Sequence, residues 1–228
     1  MMRICAAIVL AFVWASIAFP ATTGSLEEVL ARMDRAAASF QAFSADIQSV
    51  AHTAVINEDD TESGTILLKR TKHGMDMLMD FAAPNKKSIA LRDHKVEIYY
   101  PNQQVIHEYD ISRYRALVEQ FMLIGFGSSG RELAAANNVK VLGTDTVAGQ
   151  QATGLELVPK SGEVLKNLKK MELWISDART YPVRQKFYLS AGDYKLVTYT
   201  NVKVNPPLSD SDLKLKVPKD TKREFPQK

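Results

Sequence analysis

From Gly64 to Pro101 apolar and polar residues alternate strand after strand, with hardly a helical signal between them. Met75, Met77, Met79 and Phe81 recur at every second position with Asp76 and Asp80 between them, so in a strand all four large apolar side chains share one face. Ile66 and Leu68 extend the alternation on one side, and Val96, Ile98 and Tyr100 on the other. Neighbouring antiparallel strands with one apolar and one wetted face are expected. Parity fixes which residues point inward. A register error of one residue would bring Leu67 or Tyr99 inside instead. Unbranched, flexible methionines suit a surface that repacks around a flexible guest, with ordinary core filling as the alternative.

The rest of the chain frames this sheet. Ser25 to Gln41 carries Leu26, Val29, Leu30, Met33, Ala37 and Phe40 at helical spacing, with Ser25 and Glu28 placed to form a capping box. Six strands follow without an intervening helix, over Phe43–Ile56, Glu62–Thr71, Gly74–Phe81, Lys87–Arg92, Val96–Tyr100 and Val105–Tyr109, which makes a meander rather than a parallel α/β sheet. Ser112 to Phe126 returns to helical spacing with a broad apolar face that includes Leu117, Phe121 and Met122. It is expected either to pack on the sheet or to move as a lid hinged at Gly125, Gly127 and Gly130. A short helix over Arg131–Ala136 and strands over Leu155–Val158, Lys170–Ile175, Val183–Leu189 and Lys195–Val204 complete the pattern, the last group beginning at Val139. Leu213, Leu215 and Val217 suggest a final edge strand or strapping segment. The fold class is therefore α+β: an open, strongly curved antiparallel sheet, or unclosed barrel, with helices over its concave apolar face.

Residues 1–18 read as a secretory signal peptide, with Arg3 before an apolar run and small residues up to Ala18, which leaves 19–228 as one domain. Export to the periplasm is expected. The only cysteine, Cys5, lies in the segment to be removed, so neither disulfides nor a thiol nucleophile is expected in the mature chain. That chain carries a net charge of +2, too balanced to announce nucleic acid. Gly125-x-Gly-x-x-Gly130 matches a dinucleotide fingerprint letter by letter, but follows a helical pattern where a strand is required. His52, His73, His94 and His107 are scattered without metal-ligand spacing. No nucleophile elbow occurs. Neither catalysis nor a cofactor is expected. An apolar cavity beneath the helices of an exported sheet points instead to lipid, because an acyl chain of ordinary length faces a desorption penalty on the order of 10 kcal/mol in water.

Several segments taken in order resemble one family. Leu30-x-x-Met33-Asp34 leading to Phe40-x-x-Phe43, the strand Gly64-Thr-Ile-Leu-Leu-Lys69-Arg70, and Asp93-His94-Lys95 followed by Ile98-Tyr99-Tyr100-Pro101 are similar to segments of LolA, the carrier of outer-membrane lipoproteins. Thr200-Asn201-Val202, Asn205-Pro206-Pro207-Leu208 and Leu213-x-Leu-x-Val217-Pro218 resemble its closing pieces. Thr71, Leu67, Ile98 and His94 stand where the family pattern has proline, two tryptophans and glycine. The resemblance implies a monomeric carrier that takes acylated lipoproteins or lipids from an inner-membrane release complex to an outer-membrane acceptor. It also implies that Arg70 latches a helical lid. The lining expected on this reading is Ile66, Leu68, Met75, Met77, Met79, Phe81, Ile98 and Tyr100 from the sheet, with Leu30, Met33, Leu117, Phe121 and Met122 from the helices. A relative that binds, senses or transports another lipid or glycolipid is the alternative, and so is an interaction module that docks a protein through 112–126.

Overall fold

Among the described residues the two-residue alternation becomes one sheet of twelve strands. The computed structural model describes residues 25–113, 118 and 124–227. The expected signal segment, Leu117, Phe121 and Met122 lie outside the described residues. The first helix, α1 (Leu26–Ser39), opens with the capping box expected of Ser25 and Glu28, each satisfying the other's backbone N–H. The meander then runs through β1 (Ala42–Thr53), β2 (Glu58–Thr71), β3 (Gly74–Phe81), β4 (Lys87–Arg92), β5 (Lys95–Tyr100) and β6 (Val105–Asp110). After α2 (Gly130–Ala136) come β7 (Asn137–Val147), β8 (Gln150–Pro159), the short α3 (Gly162–Leu165), β9 (Leu168–Ser176), β10 (Pro182–Leu189) and β11 (Tyr194–Val204). A three-residue strand, β12 (Lys222–Glu224), ends the series.

Spatial order is β12-β6-β5-β4-β3-β2-β1-β11-β10-β9-β8-β7, so β1 and β11 join an N-terminal and a C-terminal meander. The end strands β12 and β7 are not paired with each other, and the sheet stays open. One feature differs from the expected all-antiparallel sheet: β12 pairs parallel to β6. The strap reaches that edge from the far side of the sheet. Arg223 holds β12 there by donating to Glu97 at 2.5 Å and to Glu108 at 2.8 Å.

Strand parity is as the alternation requires. Ile66 opposes Met79, and Leu68 opposes Met77, with Leu91 and Ile89 continuing that face on β4. Leu67, Leu78 and Ala90 point the other way and form a small cluster sealed by Leu213 and partly buried Leu215. The 205–217 stretch is thus a strap over the convex face, and the terminal strand lies beyond it. Asn205 anchors the strap: its side-chain oxygen accepts from the N–H groups of Gln41 and Ala42 at 2.7 and 3.1 Å, and its amide donates to the Ser39 carbonyl at 2.9 Å. One side chain therefore ties the end of α1, the start of β1 and the strap together.

The concave face carries two cores. One gathers Phe43, Leu68, Met77, Leu91, Val183 and Tyr199 from β1–β4, β10 and β11 around Phe126. In the other, Val29 and Met33 of α1, Leu133 of α2 and Ile124 cover Leu155, Leu157, Met171, Leu173 and Ile175 of β8 and β9. The helical stripe seen in the sequence finds its partner surface in the C-terminal meander.

Candidate functional site

Between the two meanders the curled sheet leaves a half-open apolar cavity of about 370 Å³. One wall is built by Ile47 and Ser49 of β1, Ile66 of β2, and Met77, Met79 and Phe81 of β3. Gln185, Phe187 and Leu189 of β10 with Lys195, Val197 and Tyr199 of β11 make the other, and Asn167 and Leu168 complete the rim. In a flat sheet β3 and β10, four strand spacings apart, would be separated by about 19 Å. Their shared cavity is a direct consequence of curvature.

The floor is polar and satisfied. The Tyr199 hydroxyl donates to Gln185 Oε1 at 2.5 Å, and Gln185 Nε2 donates to the Ile124 carbonyl at 2.6 Å. Both side chains are buried, and burial holds the Tyr199 phenol far above its usual range, so it stays a neutral donor. Beyond the floor, Phe126 meets Phe43 edge-on at 4.7 Å and Tyr199 at 5.2 Å, which closes that end. Lys195 stands at the opposite end. It is accessible from the open side yet enclosed by protein on others; loss of hydration lowers its pKa, with Glu62 pulling it up and Lys87 pushing it down.

The residues expected to line a cavity fall in four places. Ile66, Met77, Met79 and Phe81 are in its wall. Leu68 and Met75 share that face and are buried in the adjoining core. Ile98 is on the same face two strands beyond Met79. Tyr100 also lies on β5, edge-on to His107 at 5.2 Å. Leu30 and Met33 pack with the second core, away from the cavity; Met33 also borders a recess of about 140 Å³ beneath residues 125–128. The opposite wall, from β10 and β11, was not foreseen. Its alternation was readable, but its juxtaposition to β3 depends on the β1–β11 pairing, which no local pattern announces.

Arg70 is exposed at the other end of the molecule. Its Nη2 donates to the Gly127 carbonyl at 3.0 Å and its guanidinium lies 5.8 Å from the centre of the Phe40 ring. The segment it grips is fixed at several points: Ile124 and Phe126 are buried, and Gly125 and Gly127 adopt φ of +83° and +69°. Gly130 meets α1 so closely that an added Cβ would lie 2.3 Å from the Leu30 carbonyl oxygen. The glycines that match a nucleotide fingerprint thus serve turns and close packing. Among the described residues no group of three or more His, Cys, Asp or Glu side chains is placed to hold a metal, and no helix is long and apolar enough to cross a membrane.

No protein-family model and no curated protein sequence matches the chain. Solved structures do. An uncharacterized conserved protein from Thermus thermophilus superposes with a TM-score of 0.56 at 15% identity, over 87% of this chain and 98% of that one. MucB superposes with a TM-score of 0.53 at 12% identity over 84% of this chain, which spans 62% of MucB. The fold is shared with these two structures. A LolA superfamily protein from Nitrosomonas europaea also matches, at a TM-score of 0.41 and 14% identity over 86% of this chain and 99% of that one. At these identities the fold is what the first two comparisons show.

Proposed function

We propose that this protein is a periplasmic carrier that shields the acyl chains of lipoproteins in its half-open cavity and moves them from an inner-membrane release complex to an outer-membrane acceptor. The observation that carries the reading is an apolar cavity between the two meanders, walled on one side by three thioether and aromatic side chains in a row, Met77, Met79 and Phe81. Its volume lies at the small end of the roughly 300–1,000 Å³ typical of ligand sites. Unbranched methionines can repack around a longer chain. Burial of about ten methylenes at ~0.8 kcal/mol each supplies on the order of 8 kcal/mol, a micromolar affinity without any polar contact. Arg70 supports a latch at the closed end, since a lone guanidinium on a backbone carbonyl can be released at modest cost.

Titration with a fluorescent acylated peptide and its unacylated twin tests the reading. Micromolar binding of the acylated form alone is expected, weakened at least about tenfold by Met79→Glu, which sets a carboxylate in the cavity wall. Equal binding of the two peptides overturns the carrier and favours a protein-docking module.

A further inference from the structure

The mouth of the cavity is charged in a way its interior is not. Tyr199, Val197 and Lys195 face the cavity at successive two-residue steps along β11, and Lys195 lies nearest the end where β3 stops at Phe81, β9 starts at Leu168 and β10 stops at Leu189. The opposite end is filled by Phe43, Phe126 and Tyr199. Depth along the strands therefore runs from an aromatic floor to an ammonium at the rim.

Lys195 has a carboxylate near it but not to itself. Glu62 acts on it electrostatically, yet both Glu62 oxygens already accept from Lys87 Nζ, at 2.6 and 2.9 Å. Lys87 in turn lies 5.0 Å from the centre of the Phe81 ring, on the cavity wall. Among the described residues the rim thus presents two ammonium groups against one carboxylate, and Lys195 makes no hydrogen bond or ion pair. A partly dehydrated cation beside an apolar channel is complementary to an anion attached to an apolar tail.

We propose that the cavity takes amphiphiles whose acyl chain ends in a single anionic group, a carboxylate or a phosphate ester, with the chain among Met77, Met79 and Phe187 and the anion paired to Lys195. This rests on the carrier reading and adds a preference to it: among acyl-bearing ligands, those with negative charge close to where the chain leaves the cavity are held more tightly. A tail that ends in a neutral group fills the same channel but leaves Lys195 without its partner.

The test is displacement of a neutral fluorescent alkyl probe from the intact protein by hexadecanol, hexadecanoate and hexadecyl phosphate at low salt. Both anions are expected to bind about tenfold more tightly than the alcohol, the size of one charge-assisted pair at a partly exposed site. Lys195→Met should bring the anion-to-alcohol ratio close to one, Lys195→Arg should restore it, and Glu62→Gln should raise it. Circular dichroism confirms that each variant is folded. Tighter binding of the phosphate than of the carboxylate supports the proposal with a phospholipid headgroup as source; the reverse order supports it with a free fatty acid. A wild-type ratio near one, or a preference that survives Lys195→Met, overturns the proposal while leaving an acyl carrier intact. Failure of the probe and of all three ligands to bind removes the carrier reading itself.

Discussion

Gln185 is the joint between the cavity floor and the segment that covers it. Its side chain is buried, accepts from the Tyr199 hydroxyl at 2.5 Å and donates to the Ile124 carbonyl at 2.6 Å. Gln185→Leu keeps the approximate volume and strands both partners. Each buried polar group left without a partner costs about 1–3 kcal/mol, partly offset by the added apolar surface, so the expected loss is about 2–5 kcal/mol. Tyr199→Phe alone removes one hydrogen bond and leaves Gln185 Oε1 unpaired, at about 1–2 kcal/mol. In the double variant the hydroxyl is no longer present to be orphaned. Its cost should fall short of the sum of the singles by about 1–3 kcal/mol, a coupling that urea unfolding resolves in a double-mutant cycle. Hydrogen exchange of residues 124–127 should accelerate in Gln185→Leu, because the Ile124 carbonyl has lost its hold. A loss below about 0.5 kcal/mol for Gln185→Leu, or strict additivity, would refute the role given to this pair.

Other consequences are equally open to measurement. Gly64→Ala would set a Cβ 2.1 Å from the Asp80 backbone oxygen on the neighbouring strand, so β2 and β3 must part; a loss of about 2–4 kcal/mol in urea unfolding is expected, and a neutral result would contradict the tight pairing. Arg70→Leu removes the bond to the Gly127 carbonyl; faster hydrogen exchange at 125–130 and faster acyl-probe uptake should follow, and unchanged rates of both would dismiss the latch. Lys95 and Arg223 hold Glu108 below its ordinary pKa, chiefly through the Lys95 hydrogen bond. A carboxylate depressed in the folded state adds stability above its unfolded pKa and loses it as pH falls through the folded value, so the contribution fades as acid is added below about 4.5. Glu108→Gln should flatten that part of the stability profile, and an unaltered slope would count against the pairing at the β12 edge.

What the sequence revealed was local, and what it withheld was long-range. The Met75–Phe81 alternation gave the bounds of β3 and the inward parity of Met77 and Met79, because a period of two leaves no other choice once one face is buried; that Leu67 and Tyr99 face outward came only with the inter-strand register. The Ser25–Glu28 capping box likewise gave the start of α1. The address of the α1 stripe was not legible: Leu30 and Met33 could have covered the N-terminal meander, and only the path of the chain after Ile124 sends them to β8 and β9. The wall made by Phe187, Val197 and Tyr199 was hidden for the same reason, since β1 meets β11 across some 150 residues of chain. Lys195 carried no signal at all. In the sequence it is one lysine among many, and only curvature turns it toward a cavity.

Whether the cavity holds an acyl chain is read out by native mass spectrometry of the protein purified gently from its own cell envelope, followed by extraction of the bound material. Close to one acyl-bearing ligand per chain is expected, lost in Met79→Glu. A clean apo mass, together with no uptake of acylated peptide in solution, would contradict it.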